Sequence, residues 1–181
     1  MNQKGFANIV LVVVIVAILV GAFGYFVFVK KSEPISKPKL TLDILKNAEY
    51  YSQNTGTRIK LVNGTYSSEP LAGEPQADYF VKLDTDYVVF GDLNNDGQED
   101  AIVILVSRAG GTGTFRQLAV MLNSNGSPSN VANQDLGDRT AINSLTISSG
   151  VISVDMAHWD GGTGTRKTVN YKLSGNKLVE F

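Results

Sequence analysis

The sequence predicts a mainly β chain: an antiparallel meander, sandwich or partly open barrel with one short N-terminal helix, preceded by a single transmembrane helix. Three observations carry that prediction. An uncharged apolar run occupies residues 9–29, and short runs rich in β-branched and aromatic residues recur from residue 58 onward between turn-forming residues. A 22-residue pattern also occurs twice.

The first run reads "IVLVVVIVAILVGAFGYFVFV" from Ile9 to Val29. As a helix it is about 30 Å long, the thickness of a bilayer's hydrocarbon core. Lys4 precedes it and Lys30 and Lys31 follow, with Tyr25 near the second interface. The expected organisation is a short tail over 1–8, a lipid-embedded helix over 9–29, a stalk over 30–40 and a domain over 41–181. Cleavage after Ala22 would suit a signal peptide, but seven more apolar residues follow it, which favours retention. Lys30, Lys31, Lys37 and Lys39 outnumber the charges before the helix, which by the positive-inside rule alone puts the domain in the cytoplasm. The very short tail and the acidic loop discussed below favour the opposite, a single-pass cell-membrane protein with its C-terminal domain extracytoplasmic.

The stretch "KGFANIVLVVV" resembles the leader of type IV prepilins, with Lys4, Gly5 and Phe6 at the matching positions. That resemblance implies cleavage between Gly5 and Phe6 and a filament subunit. The fifth mature position, where those proteins carry Glu, is Val10 here.

In the stalk, Pro34 and Pro38 disfavour helix. Thr41 is then placed as the N-cap of a helix of about two turns, with Leu42, Leu45 and Ala48 on one face. The expected strands follow. "RIKLV" and "TYS" flank Asn63 and Gly64, a type I′ turn pair. Next come "DYFVKL", "YVVF", and runs at 100–107, 114–123, 141–148, 151–157, 166–173 and 177–180. The connections "NSNG", "SSG" and "SGN" are short enough for antiparallel neighbours.

The repeat pairs "AIVILVSRAGGTGTFRQLAVML" from Ala101 with "ISVDMAHWDGGTGTRKTVNYKL" from Ile152. Each copy reads as strand, glycine loop, strand, a duplicated hairpin inside one sheet system. "GGTGT" lacks the Gly-Lys-Ser/Thr ending and following helix of a phosphate loop, so it is expected to be a hairpin connection. Two copies are too few for a solenoid or propeller.

Composition narrows the function classes. With 181 residues, 43% hydrophobic and 18% charged, the chain can build a core. Lys4, Lys30 and Lys31 are three of the 16 basic residues. That leaves 13 after residue 31 against 17 acidic ones, a net charge of −4 that argues against a nucleic-acid partner. The absence of cysteine excludes disulfides, thiol catalysis and thiolate metal sites.

The stretch "FGDLNNDGQEDAIV", residues 90–103, carries the most chemistry. Asp92, Asn94 and Asp96 stand at loop positions 1, 3 and 5, Gly97 at 6, the Gln98 carbonyl at 7 and Asp100 at 9. Alternating oxygens of this kind converge on a hard cation, and the glycine permits the sharp curl. Three carboxylates within nine residues repel one another without one. Position 12 is Val103 rather than Glu, so this is no EF-hand. The spacing resembles the loops of FG-GAP and dockerin-type modules. That resemblance implies calcium on Asp92, Asn94, Asp96, Gln98 and Asp100; Glu99, between two of them, is expected to point outward. More widely, "LKNAEYYS", "VVFGDLNNDGQEDAIVILV", "GGTGTFRQLAVMLN" and "LGDRTAINSLTI" resemble an uncharacterised family of bacterial secreted or lipid-anchored β domains.

Catalytic signals are sparse. His158 is the single histidine, and Ser107 occupies the corresponding place in the other repeat as a conceivable nucleophile. No enzyme is expected on this basis; an envelope enzyme of unknown class ranks below a filament subunit as an alternative. Trp159 is a candidate aromatic anchor for an envelope protein or glycan ligand. Asn63 and Asn125 begin glycosylation sequons that coincide with turns. The expected function is therefore a membrane-anchored extracytoplasmic β module with a calcium-type loop, structural or binding in role.

Overall fold

The computed structural model describes residues 3–29, 37–68, 79–109, 111–159 and 164–181. The chain forms two compact units, residues 1–36 and 37–181. The first unit contains helix α1 (Gln3–Val29), 27 residues and so about 40 Å long. Side chains are described over 11–23 and at Tyr25, and all of them are exposed. Counting only such described residues, no helix is both long and apolar enough to cross a membrane. The backbone helix continues beyond them on both sides. The expected stalk residues 30–36 lie outside the described residues. The second unit includes Lys37, and Leu40 lies in its core.

The second unit is antiparallel β throughout its sheets. A five-stranded sheet has the order β3-β4-β5-β6-β7, from β3 (Thr65–Ser67), β4 (Tyr79–Gly91), β5 (Asp100–Ala109), β6 (Phe115–Ser124) and β7 (Ser127–Asp138). A four-stranded sheet has the order β11-β10-β9-β8, from β8 (Ala141–Ser148), β9 (Val151–His158), β10 (Thr165–Ser174) and β11 (Lys177–Glu180). A two-stranded ribbon pairs β1 (Glu49–Ser52) with β2 (Thr57–Lys60). The expected mainly β, antiparallel class with a short helix is what forms, and the five- and four-stranded sheets share an apolar core.

Two cores lie on opposite faces of the five-stranded sheet. Val103, Leu105, Ala119 and Met121 face Leu45, Tyr50, Ile59 and Leu61. Ile102, Ile104, Leu118 and Val120 face Ile152, Val154, Val169 and Tyr171 of the four-stranded sheet. Strand β5 is thus covered on both sides, which is why "AIVILV" is apolar at every position instead of alternating. The repeat acquires a structural meaning here. One copy is the β5-β6 hairpin and the other the β9-β10 hairpin, and they belong to different sheets. The duplicated hairpin expected inside one sheet system is divided between two sheets of it, and the copies share a core.

Local chemistry explains most of the boundaries. Helix α2 (Leu42–Lys46) is capped by Thr41, whose hydroxyl oxygen accepts from the Ile44 amide. It is shorter than predicted, because residues 49–52 form β1. Side-chain amides hold that strand. Asn130 Oδ1 accepts from the Tyr51 amide, Gln117 Nε2 donates to the Tyr51 carbonyl, and Gln117 Oε1 accepts from Gln53. These long-range bonds give β1 partners that a local helical pattern cannot reveal. The pairs Asn63-Gly64 and Asn125-Gly126 both adopt positive φ, as type I′ turns require. The runs "YFVKL" and "YVVF" merge into the single strand β4, with a register shift between Asp84 and Val88 at the polar residues that separate them.

Candidate functional site

Residues 92–99 connect β4 to β5, and the connection is curled by its own side chains. The two carboxylate oxygens of Asp92 accept from the amides of Asn95 (2.7 Å) and Gly97 (2.9 Å). Asp96 accepts from the Gln98 amide (2.7 Å) and from Asn94 Nδ2 (3.0 Å), while Asn94 Oδ1 accepts from the Asp96 amide (3.1 Å). Asn95 and Gly97 take φ of +61° and +73°, left-handed conformations that Asn and Gly tolerate best. The alternation of Asp and Asn with these residues is therefore what folds the loop.

Asp100 lies beneath the loop and is fully buried. One oxygen accepts from the Leu93 amide (2.9 Å) and the other from the Asn123 amide (2.9 Å), joining the loop's start, the first residue of β5 and the end of β6. Burial raises its pKa; the two amide bonds oppose that, and the negative charges of Asp96 and Asp92 add to the rise. Asp96 shifts the other way, held below the ordinary carboxylate value by the Gln98 amide, then Asn94, with Lys37 contributing.

The segment where the chain enters the domain is fastened to this loop. Lys37 Nζ donates to the Asp96 carbonyl (2.8 Å), and Lys39 pairs with Glu99 (2.8 Å), which points outward as predicted. Asn123 Nδ2 bridges the carbonyls of Pro38 (2.9 Å) and Glu99 (3.2 Å). Four carboxylates, Asp92, Asp96, Glu99 and Asp100, face two ammonium groups, Lys37 and Lys39, leaving two negative charges. Sequence reasoning missed Lys37 and Lys39 as loop partners, because about 60 residues separate each from its contact.

Among the described residues, no three acidic or histidine side chains form a group arranged to hold a metal. The carboxylates of Asp92, Asp96 and Asp100 are instead drawn onto N–H donors. Each of those six oxygens makes one such bond, which leaves acceptor capacity on every one. Gln98 contributes a further oxygen that sequence reasoning had not assigned: its side-chain Oε1 is buried with no hydrogen-bond partner. The donor set is wholly oxygen and carries excess negative charge, so it fits a hard divalent cation.

The other candidates separate in space. Ser107 Oγ accepts from Asn54 Nδ2, whereas His158 Nδ1 bonds to Thr140 Oγ1 (3.1 Å). The two do not form a nucleophile and base pair. Thr140 donates its only hydroxyl proton to the Leu136 carbonyl (2.6 Å), so His158 Nδ1 must be the donor to Thr140. Trp159 is 55% exposed. With Arg139, Ala141, Ala157, His158 and Gly164 it lines a cleft of about 370 Å³. Thr112 and Thr114 of the first glycine loop reach the same region, bonding the Arg139 guanidinium and its amide. Most of the second glycine loop, 160–163, lies outside the described residues.

Comparison with known proteins gives no match to a family model, to a curated protein or to a solved structure.

Proposed function

We propose that this chain is a single-pass, membrane-anchored extracytoplasmic β module whose loop at 92–100 holds calcium, with a structural or binding role at the cell envelope. The observation that carries the reading is the charge imbalance of that loop. The buried Asp100 carboxyl is pushed up by burial and by its neighbours Asp92 and Asp96, and a divalent cation would relieve that repulsion and match the two surplus negative charges. Oxygens of Asp92, Asn94, Asp96, Gln98 and Asp100 would hold the ion, and the ion would supply cross-linking of the β4-β5 connection rather than chemistry.

Helix α1 supports the anchor. A 27-residue helix whose described side chains are apolar and exposed on every side, from Leu11 to Phe23, finds its solvent in lipid. The calcium loop supports the orientation, since millimolar calcium is an extracytoplasmic condition. The binding half of the proposal falls on the cleft beside Trp159, whose exposed ring can stack on an envelope glycan.

A bacterial strain expressing the full chain with a C-terminal tag tests the placement. The tagged protein is expected to stay with the membrane fraction through high-salt and carbonate washes, and to lose its tag when protease is added outside intact spheroplasts. A washed-off protein would remove the anchor; a membrane-retained but protected tag would put the domain in the cytoplasm.

A further inference from the structure

The face of the five-stranded sheet that packs on the four-stranded sheet is not covered over its whole area. Register places Asp84, Ile104 and Leu118 in one cross-strand row and Lys82, Val106 and Arg116 in the next. Phe80 and Arg108 pair in the row beyond. Ile104 and Leu118 are buried in the inter-sheet core, but Val106 is only partly covered, and Lys82 and Arg108 are exposed. There the surface opens into a cleft of about 400 Å³ lined by Phe80, Lys82, Asp84, Val106, Arg108 and Arg116.

Three cations thus surround one small apolar side chain. Directly opposed residues on neighbouring strands stand about 5 Å apart, so Lys82 and Arg116 flank Val106 on either side and Arg108 lies two residues along the same strand. Among the described residues none of the three makes an ion pair; those present join Lys39 to Glu99, Arg58 to Glu49, Arg139 to Asp138 and Arg166 to Asp155. Arg116 Nε is buried with no hydrogen-bond partner. A buried guanidinium N–H left unsatisfied is costly, and an anion in the cleft would satisfy it.

We infer that this cleft is a second binding site, which accepts the phosphate group of a phosphomonoester. Lys82, Arg108 and Arg116 against Asp84 leave two positive charges, the complement of a phosphate dianion. Guanidinium groups match tetrahedral oxyanions by paired N–H donors, and Lys82 adds a point charge. The aliphatic and aromatic walls, Val106 and Phe80, lower the local dielectric and strengthen those contacts. The inference stands apart from the calcium loop and does not depend on it.

The test uses the full chain in detergent micelles without calcium, with arginine Nε labelled by nitrogen-15. Inorganic phosphate is titrated at constant ionic strength against chloride. The Arg116 Nε–H resonance should move in a saturable manner. Lys82→Gln combined with Arg108→Gln should weaken the apparent affinity by about tenfold or more, and Lys82→Arg with Arg108→Lys should largely restore it. Both residues are exposed, and an unchanged melting temperature would show that the variants fold. Adding a short-chain phosphatidic acid to the micelles distinguishes a lipid headgroup, which acts at lower concentration than inorganic phosphate, from a soluble phosphate, which does not. Either outcome supports the site. A phosphate response no larger than that of chloride, or one unaltered by the glutamine variants, would overturn it.

Discussion

Asp100→Ala is expected to lower the stability of the second unit by about 3 kcal/mol, measured by chemical unfolding in the presence of chelator. The side chain is fully buried, and its two oxygens accept from the amides of Leu93 and Asn123. Alanine removes both acceptors while leaving both N–H groups in place, at about 1–3 kcal/mol for each unsatisfied donor. Part of that loss is offset, because the wild-type carboxylate bears the desolvation that raises its pKa. Asp100→Asn should fall between the two, since it keeps one acceptor oxygen and sets an NH₂ against an amide. Chelator separates this structural role from any metal. A loss under about 1 kcal/mol would mean that water replaces the carboxylate, and that Asp100 does not tie the loop to β6.

The second large effect is expected at Ile104→Ala. This residue is fully buried between the two copies of the repeated hairpin. Removing its outer carbons leaves a cavity that the sheets can only partly close, at a cost of about 2–5 kcal/mol. Val62→Ala, at a position 61% exposed, should change stability by less than about 0.5 kcal/mol. Equal effects at the two positions, read from urea midpoints at unchanged slope, would contradict the shared inter-sheet core.

What was legible in the chain follows from how local each feature is. The loop from Asp92 to Asp100 could be read because its residues are consecutive and its hydrogen bonds reach no further than five residues, apart from those made by Asp100, Lys37, Lys39 and Asn123. The hairpins at Asn125, Ser149 and Gly175 were legible from turn chemistry. Strand β7 was not. "SPSNVANQDLGD" is polar, and its register against β6 shifts twice, near Arg116 and near Val120, so alternation is lost. Its inward residues include Asn130, a buried amide whose bonds to Tyr51, Val120 and Ala132 replace apolar packing. The repeat was visible as sequence, yet nothing in it says that the copies face each other across two sheets. The roles of Lys37 and Lys39 needed the fold, because a stalk lysine looks solvated until its partner is in place.

Thermal unfolding of the full chain in detergent, with about 1 mM calcium and with chelator, on the wild type and on Asp92→Ala, reaches the calcium loop most directly. Lys37 must be retained because it bonds the loop. With a dissociation constant near 0.1 mM, calcium adds about 1.4 kcal/mol, a rise of roughly 3–6 °C in melting temperature for a unit of this size. A rise of that order in the wild type, absent from Asp92→Ala, is the expected result. Superimposable melts with calcium and with chelator in the wild type would contradict it, and would leave the loop a connection closed by its own amides.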